Sequence, residues 1–184
     1  KKNVSSLNNI AVFSDDIRDG IKGSWSDHTE KGFVSNKSGT EESIKFGIVA
    51  SCQHPQVNYS KVNYSAAPYA TAPSNIVSYA ECHDNHTLWD KLAISAPDAT
   101  VEERKEMHKL ALSIVLTSQG ISFLHAGTEF LRSKKGVENS YNAPDSINEI
   151  DWFLKTKNKD VFAYVQQLIQ IRKAHPAFRM QTTE

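Results

Sequence analysis

The sequence has no excess charge of either sign. Its 21 lysines and arginines equal its 21 aspartates and glutamates, so it offers no support for the basic face that a nucleic-acid partner calls for. Long apolar runs are also missing. The longest, Leu110 to Ala126, is broken by Ser113, Thr117, Ser118, Gln119 and Gly120 and is not a membrane span. No basic start followed by an apolar leader is seen. Cysteine is scarce: Cys52 and Cys82 are thirty positions apart with no CxxC spacing, which argues against a zinc ribbon. A disulfide between them cannot be read from spacing, Cys82 is expected in a buried strand, and neither a secreted nor a cytoplasmic placement is favoured. P-loop, GxGxxG, GxSxG and HExxH patterns are all missing, which removes the common nucleotide, serine-hydrolase and zincin chemistries.

What is present is a repeated strand, loop and helix. The 184 residues suffice for one domain with a core. Ile10 to Phe13 reads as a buried strand whose end carries Asp15, Asp16, Arg18 and Asp19. Residues 22–43 and 54–74 read as loops, with a short helix in "EESIKFGIVASC" between them. "NIVSYAEC" reads as a second strand. Thr100 and Glu103 form a capping-box pattern ahead of a helix whose stripe includes Met107, Leu110, Ala111, Ile114 and Val115, and Gly120 can end it. "ISFLHAGTEF" reads as a third strand, and a last helix from about Asp160 to His175 is closed by Pro176. Polar clusters follow each strand, as in parallel α/β folds whose chemistry gathers at strand carboxyl ends. Three strands cannot close a barrel. The outer two are therefore expected to expose edges that invite self-association.

The densest polar cluster is "YAECHDNHTLWDKL", Tyr79 to Leu92. His83 and Asp84 leave a strand end together, and such a pair suits a substrate site. There the carboxylate stabilises a cationic transition state and the imidazole donates a hydrogen bond to a substrate hydroxyl. A metal reading would recruit His83, Asp84, His86 and Asp90, without helical HxxxH spacing to favour it. A plain polar turn capped by Asp84 or Asn85 is the third reading. Elsewhere, Asp16 and Arg18 could pair at a site rim or as a structural ion pair. Glu129 suits a buried support for neighbouring loops, with His125 close by in sequence. Asn142, Asp145 and Asn148 in "NSYNAPDSINEIDW" can bond sugar hydroxyls or simply form an Asx-rich loop. Trp89 and Trp152 can stack on sugars or pack in a core.

Taken together, "IAVFSDDIRDGIKG", "YAECHDNHTLWDKL" and "GISFLHAGTEFLRSKKGVENSYNAPDSINEIDW" resemble glycoside hydrolase family 13, specifically type I pullulanases. The resemblance covers nearly the whole chain. It implies an α/β fold, the carboxyl-terminal portion (about strands 6–8 and helices 7–8) of a (β/α)8 barrel that hydrolyses α-1,6-glucosidic branch points with retention. Residues 1–184 would be one partial catalytic domain, cut at both ends. By the same resemblance Asp84 is expected to stabilise the transition state, with His83, Asn142, Asp145 and Asn148 as substrate contacts, and Trp89 joins them as a stacking candidate on its own chemistry. The partner is a branched α-glucan. No cofactor or metal is implied for this chain, although an intact enzyme leaves room for calcium.

The chain also departs from the family pattern. Neither the "GFRFDLMG"-like motif of the nucleophilic aspartate nor the "GEGW"-like motif of the acid glutamate occurs here, nor do "DxxxNH" and "YNWGYDP". A retaining glycosidase needs that carboxylate pair at about 5 Å separation, so the chain alone is expected to be inactive. The competing expectations are a non-catalytic glucan-binding or assembly fragment, an isoamylase or amylopullulanase within the same family, and a metal-dependent hydrolase centred on His83, Asp84 and His86.

Overall fold

The computed structural model describes residues 1, 3–7 and 10–183. Asn9, the first residue of the stretch that ends in the first expected strand, lies outside them. Strand β1 is only Val12–Phe13, and helix α1 begins at once, Asp15–Lys22. The acidic run is thus the first turn of a helix, not a strand end. Asp15 and Asp16 suit the positive pole of a helix start, and Ile17 and Ile21, four apart, fall on one buried face. Ile10 and Phe13 are exposed where burial was expected, because among the described residues β1 has a hydrogen-bonded neighbour on one side alone.

Helix α2, Glu41–Ile48, packs directly on α1. Gly47 makes this approach possible, since a Cβ there would sit 2.4 Å from an atom of Ile17. Strand β2, Ile76–Ser78, is wholly buried and shorter than the expected 75–82. Helix α3, Leu88–Ser95, was not expected from periodicity, and Thr87 caps it by accepting from the main-chain N–H of Asp90 at 3.2 Å. Helix α4, Val101–Thr117, opens with the capping box read from sequence: Glu103 N–H donates to Thr100 Oγ1 at 3.2 Å, and Thr100 N–H to Glu103 Oε2 at 2.8 Å.

Strand β3 is Ile121–Ser122, much shorter than expected, and residues 128–130 instead form a 3-10 turn. Gly120 before it holds φ +84°, and a Cβ there would lie 2.7 Å from the Ile76 carbonyl oxygen. Two short helices, α5 (Asp145–Asn148) and α6 (Phe153–Lys157), precede α7, Lys159–Ala174, close to the expected span.

The three strands form one parallel sheet in the order β1-β2-β3, with Val12 opposite Ile76 and Val77 opposite Ile121. The main core lies among the helices: Ile17 and Ile21 of α1, Leu88 and Leu92 of α3, Leu112 and Val115 of α4, with Val165 and Leu168 of α7. Full burial of each such side chain contributes roughly 1.5–3 kcal/mol. Arg172 on α7 donates to the carbonyls of Leu116, Ser118 and Gly120 at 3.0, 2.6 and 2.6 Å, joining the last helix to the end of α4. On the outer side of β3, Ile121 is half exposed, and a groove of about 460 Å³ runs between Leu124, His125, Phe162, Val165 and Ile169. No helix among the described residues is long and apolar enough to cross a membrane.

Candidate active site

The cluster sits where sequence reasoning put it, at the carboxyl end of the middle strand. Beyond β2 the chain stays buried through Tyr79, Ala80 and Glu81, then emerges. Cys82 is half-buried and lies past the strand rather than within it, and both Cys52 and Cys82 are free thiols. Burial pushes the Cys52 thiol up to about 11. The His83 and Asp84 side chains are 85% and 73% exposed and meet at 3.5 Å, Nε2 to Oδ1. Asp84 has no other ion-pair or hydrogen-bond partner among the described residues, so its carboxylate is open to a ligand. Asn85 then turns the chain with φ +61°, a left-handed conformation that asparagine tolerates.

The loop is held from beneath. Glu81 accepts the Leu88 N–H at 2.7 Å, bridging the strand end to the first residue of α3. The loop 132–138 grips it from the side: Asn85 Nδ2 donates to Glu138 Oε1 at 3.2 Å, and His86 Nε2 lies 3.1 Å from the Gly136 carbonyl. Lys134 Nζ donates to the His83 carbonyl. Asp90 anchors that second loop by accepting from Ser133 Oγ at 2.6 Å and from Lys134 N–H at 2.8 Å. Lys135 and Gly136, with φ 55° and 78°, are the two central residues of the tight turn that brings the Gly136 carbonyl to His86.

This geometry disfavours the metal arrangement considered from sequence. His86 and Asp90 are buried and turned into protein contacts, away from a shared ion with His83 and Asp84. Burial, and then the neighbouring His28, hold the His86 imidazole below its usual range. The donor atoms that do come within 4.8 Å of one another among the described residues belong to Cys82, His83 and Asp84, three consecutive residues at the surface.

Below the loop lies a buried charged layer that sequence reasoning missed. Glu81, His108, Lys22 and Lys134 are all nearly inaccessible. Burial pushes the Glu81 carboxyl up, but contacts from His125 and Thr128 and the nearby histidine charges outweigh it, leaving Glu81 below its usual range. His125 Nδ1 lies 3.6 Å from Glu81 Oε2. Burial pushes the Lys22 ammonium down to about 8 against the attraction of Glu81. Burial also lowers His108, whose Nε2 lies 2.8 Å from the Thr128 carbonyl. Glu129, expected as the buried support, is only partly covered and bonds its own turn at Gly127 N–H, 3.0 Å away. Glu81 occupies that supporting position instead.

The remaining candidates divide. Asn142 and Asp145 are exposed. Asn148 is committed to its own loop: its amide donates to the Ser140 and Ala143 carbonyls at 2.7 and 3.1 Å. Trp89 packs against α4. Its ring packs edge-on to His108 and under the Arg104 guanidinium, 5.2 Å from the ring centre. Trp152 is 65% exposed with one side against Phe130. Asp16 and Arg18 do not pair. Asp16 is buried under Lys1, Ser65 and the Tyr64 N–H, while Arg18 engages Asp15, Asp19 and the Tyr79 hydroxyl.

No protein-family model matches the chain. Curated proteins and solved structures do. The pullulanase of Bacillus subtilis (strain 168) is 36% identical over 180 residues, covering 98% of this chain and 24% of that protein. A crystal structure of pullulanase type I from the same organism, complexed with maltose, superposes with a TM-score of 0.90 over 98% of this chain and 24% of its own. The Paenibacillus barengoltzii pullulanase in complex with maltohexaose and α-cyclodextrin superposes with a TM-score of 0.88 at 47% identity, over 98% of this chain and 27% of that one. The chain spans about a quarter of the length of the relatives it matches. By sequence and by fold together, the chain is similar to pullulanases along nearly the whole of its own length.

Proposed function

We propose that residues 1–184 are the carboxyl-terminal part of a (β/α)8 barrel, about strands 6–8 and helices 7–8, from a debranching enzyme that hydrolyses α-1,6-glucosidic linkages with retention. The observation that carries this reading is the placement of His83 and Asp84. They leave the carboxyl end of the central strand of a parallel sheet, with the Asp84 carboxylate open to a ligand. In such folds that end of the sheet is where chemistry collects. The substrate class is a branched α-glucan, in keeping with the maltohexaose and α-cyclodextrin bound by the Paenibacillus relative.

Asp84 is the transition-state stabiliser, and His83 contacts hydroxyls of the sugar at the cleavage point. Asn142 and Asp145 are exposed enough to contact sugars further along. Asn148 and Trp89 act through the packing of their surroundings. The nucleophile and the acid belong to parts of a longer polypeptide. A stabilising carboxylate lowers the barrier only for a reaction those groups begin.

The chain by itself is therefore expected to release no reducing ends from pullulan, whereas a polypeptide extended upstream through both missing carboxylates should do so. Measurable release by residues 1–184 alone would sink the reading. Light scattering on the same preparation should show association through the open β1 and β3 edges, where Phe13 and Ile121 are about half exposed. A monodisperse monomer would remove that part of the proposal.

A further inference from the structure

We infer that Lys134 is a positioning residue for the His83–Asp84 loop. Its Nζ donates to the carbonyl oxygens of His83 at 3.2 Å and Glu138 at 3.0 Å. This rests on the site reading proposed above and adds a residue to it. The side chains of His83 and Asp84 are largely solvent-exposed and contact each other at only 3.5 Å. What positions them is therefore the main chain that carries them. The His83 carbonyl belongs to the peptide that joins His83 to Asp84, so holding that oxygen fixes where the Asp84 Cα stands.

The clamp has a firm base. Lys134 is 2% exposed, and its own N–H is held by Asp90 on α3 at 2.8 Å. A buried ammonium is costly unless its donors are used, and here two carbonyls from two loops use them. Bonds from a charged donor are stronger than neutral ones, which suits a tether that must resist the pull of a ligand on exposed side chains. Burial, then the Arg132 charge, hold the Lys134 ammonium below its usual range, against Asp90, Glu81 and Asp84. The three residues Lys134, His83 and Glu138 are thus one unit joining the loop after β2 to the loop after β3.

The test is Lys134→Met in the longer, active polypeptide, with Asp84→Asn measured beside it. A displacement of about 1 Å at a reacting group lowers rate by roughly 100-fold. The expected result for Lys134→Met is a kcat fall of roughly 10- to 100-fold with KM within about threefold. Amide hydrogen exchange should quicken in residues 82–87 and stay slow in α4 and α7. Unchanged kcat in Lys134→Met beside an inactive Asp84→Asn would overturn the positioning role alone. So would loss of exchange protection throughout the protein, which would make Lys134 a folding residue. A near-normal rate in Asp84→Asn would instead overturn the site reading beneath it.

Discussion

Replacing Asp84 by Asn in the longer polypeptide should lower kcat by roughly 100- to 1,000-fold, the scale on which one preorganised electrostatic group acts. KM should stay within about threefold, because Asn keeps the shape and the acceptor oxygen and loses only the charge. The expectation follows from exposure and isolation. Among the described residues the Asp84 carboxylate meets only His83, at 3.5 Å. It has no structural duty of the kind that Asp16 or Asp90 performs, each buried and bonded several times. A fall in kcat with matched melting temperatures would confirm a charge acting on the transition state. A variant that keeps near-normal turnover would remove Asp84 from the chemistry.

The second large effect concerns the buried layer. Glu81→Ala should destabilise the protein by about 3–5 kcal/mol, the usual result of removing one partner from a buried charged group. Three contacts are lost at once: the acceptor for Leu88 N–H at 2.7 Å, the partner of His125 at 3.6 Å, and the opposing charge for Lys22. Urea melts across pH give the sign. The folded Glu81 carboxyl lies below its ordinary range, so its contribution is present above the unfolded value of about 4.3 and fades as pH falls through the folded one. The variant should lose stability at neutral pH and lack that part of the acid decline. Pairing it with Lys22→Met should recover part of the loss, since no uncompensated ammonium is then left inside. Full additivity of the two substitutions would refute the coupling.

Local chemistry was legible in the sequence and distant partnership was not. Thr100 and Glu103 form their box within four residues, and the order of helix α4 followed from it. His83 and Asp84 were legible as a pair because adjacent polar residues after an apolar run already suggest a strand end. Lys134 was not, since its bond to His83 spans 51 residues, and a lysine in "RSKKG" looks like any solvated charge. Glu81 was read as one alternating strand position, with nothing in "SYAEC" to reveal the histidines and lysine that share its burial. The acidic "DDIRD" run misled for a physical reason: Asp15 and Asp16 are equally at home at a strand end and at a helix start. The third strand is short and, among the described residues, pairs with β2 alone, a pairing that no local pattern encodes.

The three bonds from Arg172 to the carbonyls of Leu116, Ser118 and Gly120 also set a timetable. A chain made from its amino end produces α4 and β3 first, and the carbonyls that close α4 face water until residue 172 emerges, 52 to 56 residues later. During that interval the junction between helix and sheet has no latch, and the Val165 and Leu168 side of the core is still unmade. The junction between α4 and the sheet therefore reaches its final packing only once α7 has been made. A chaperone that meets it before then would find α4 formed and its apolar face uncovered.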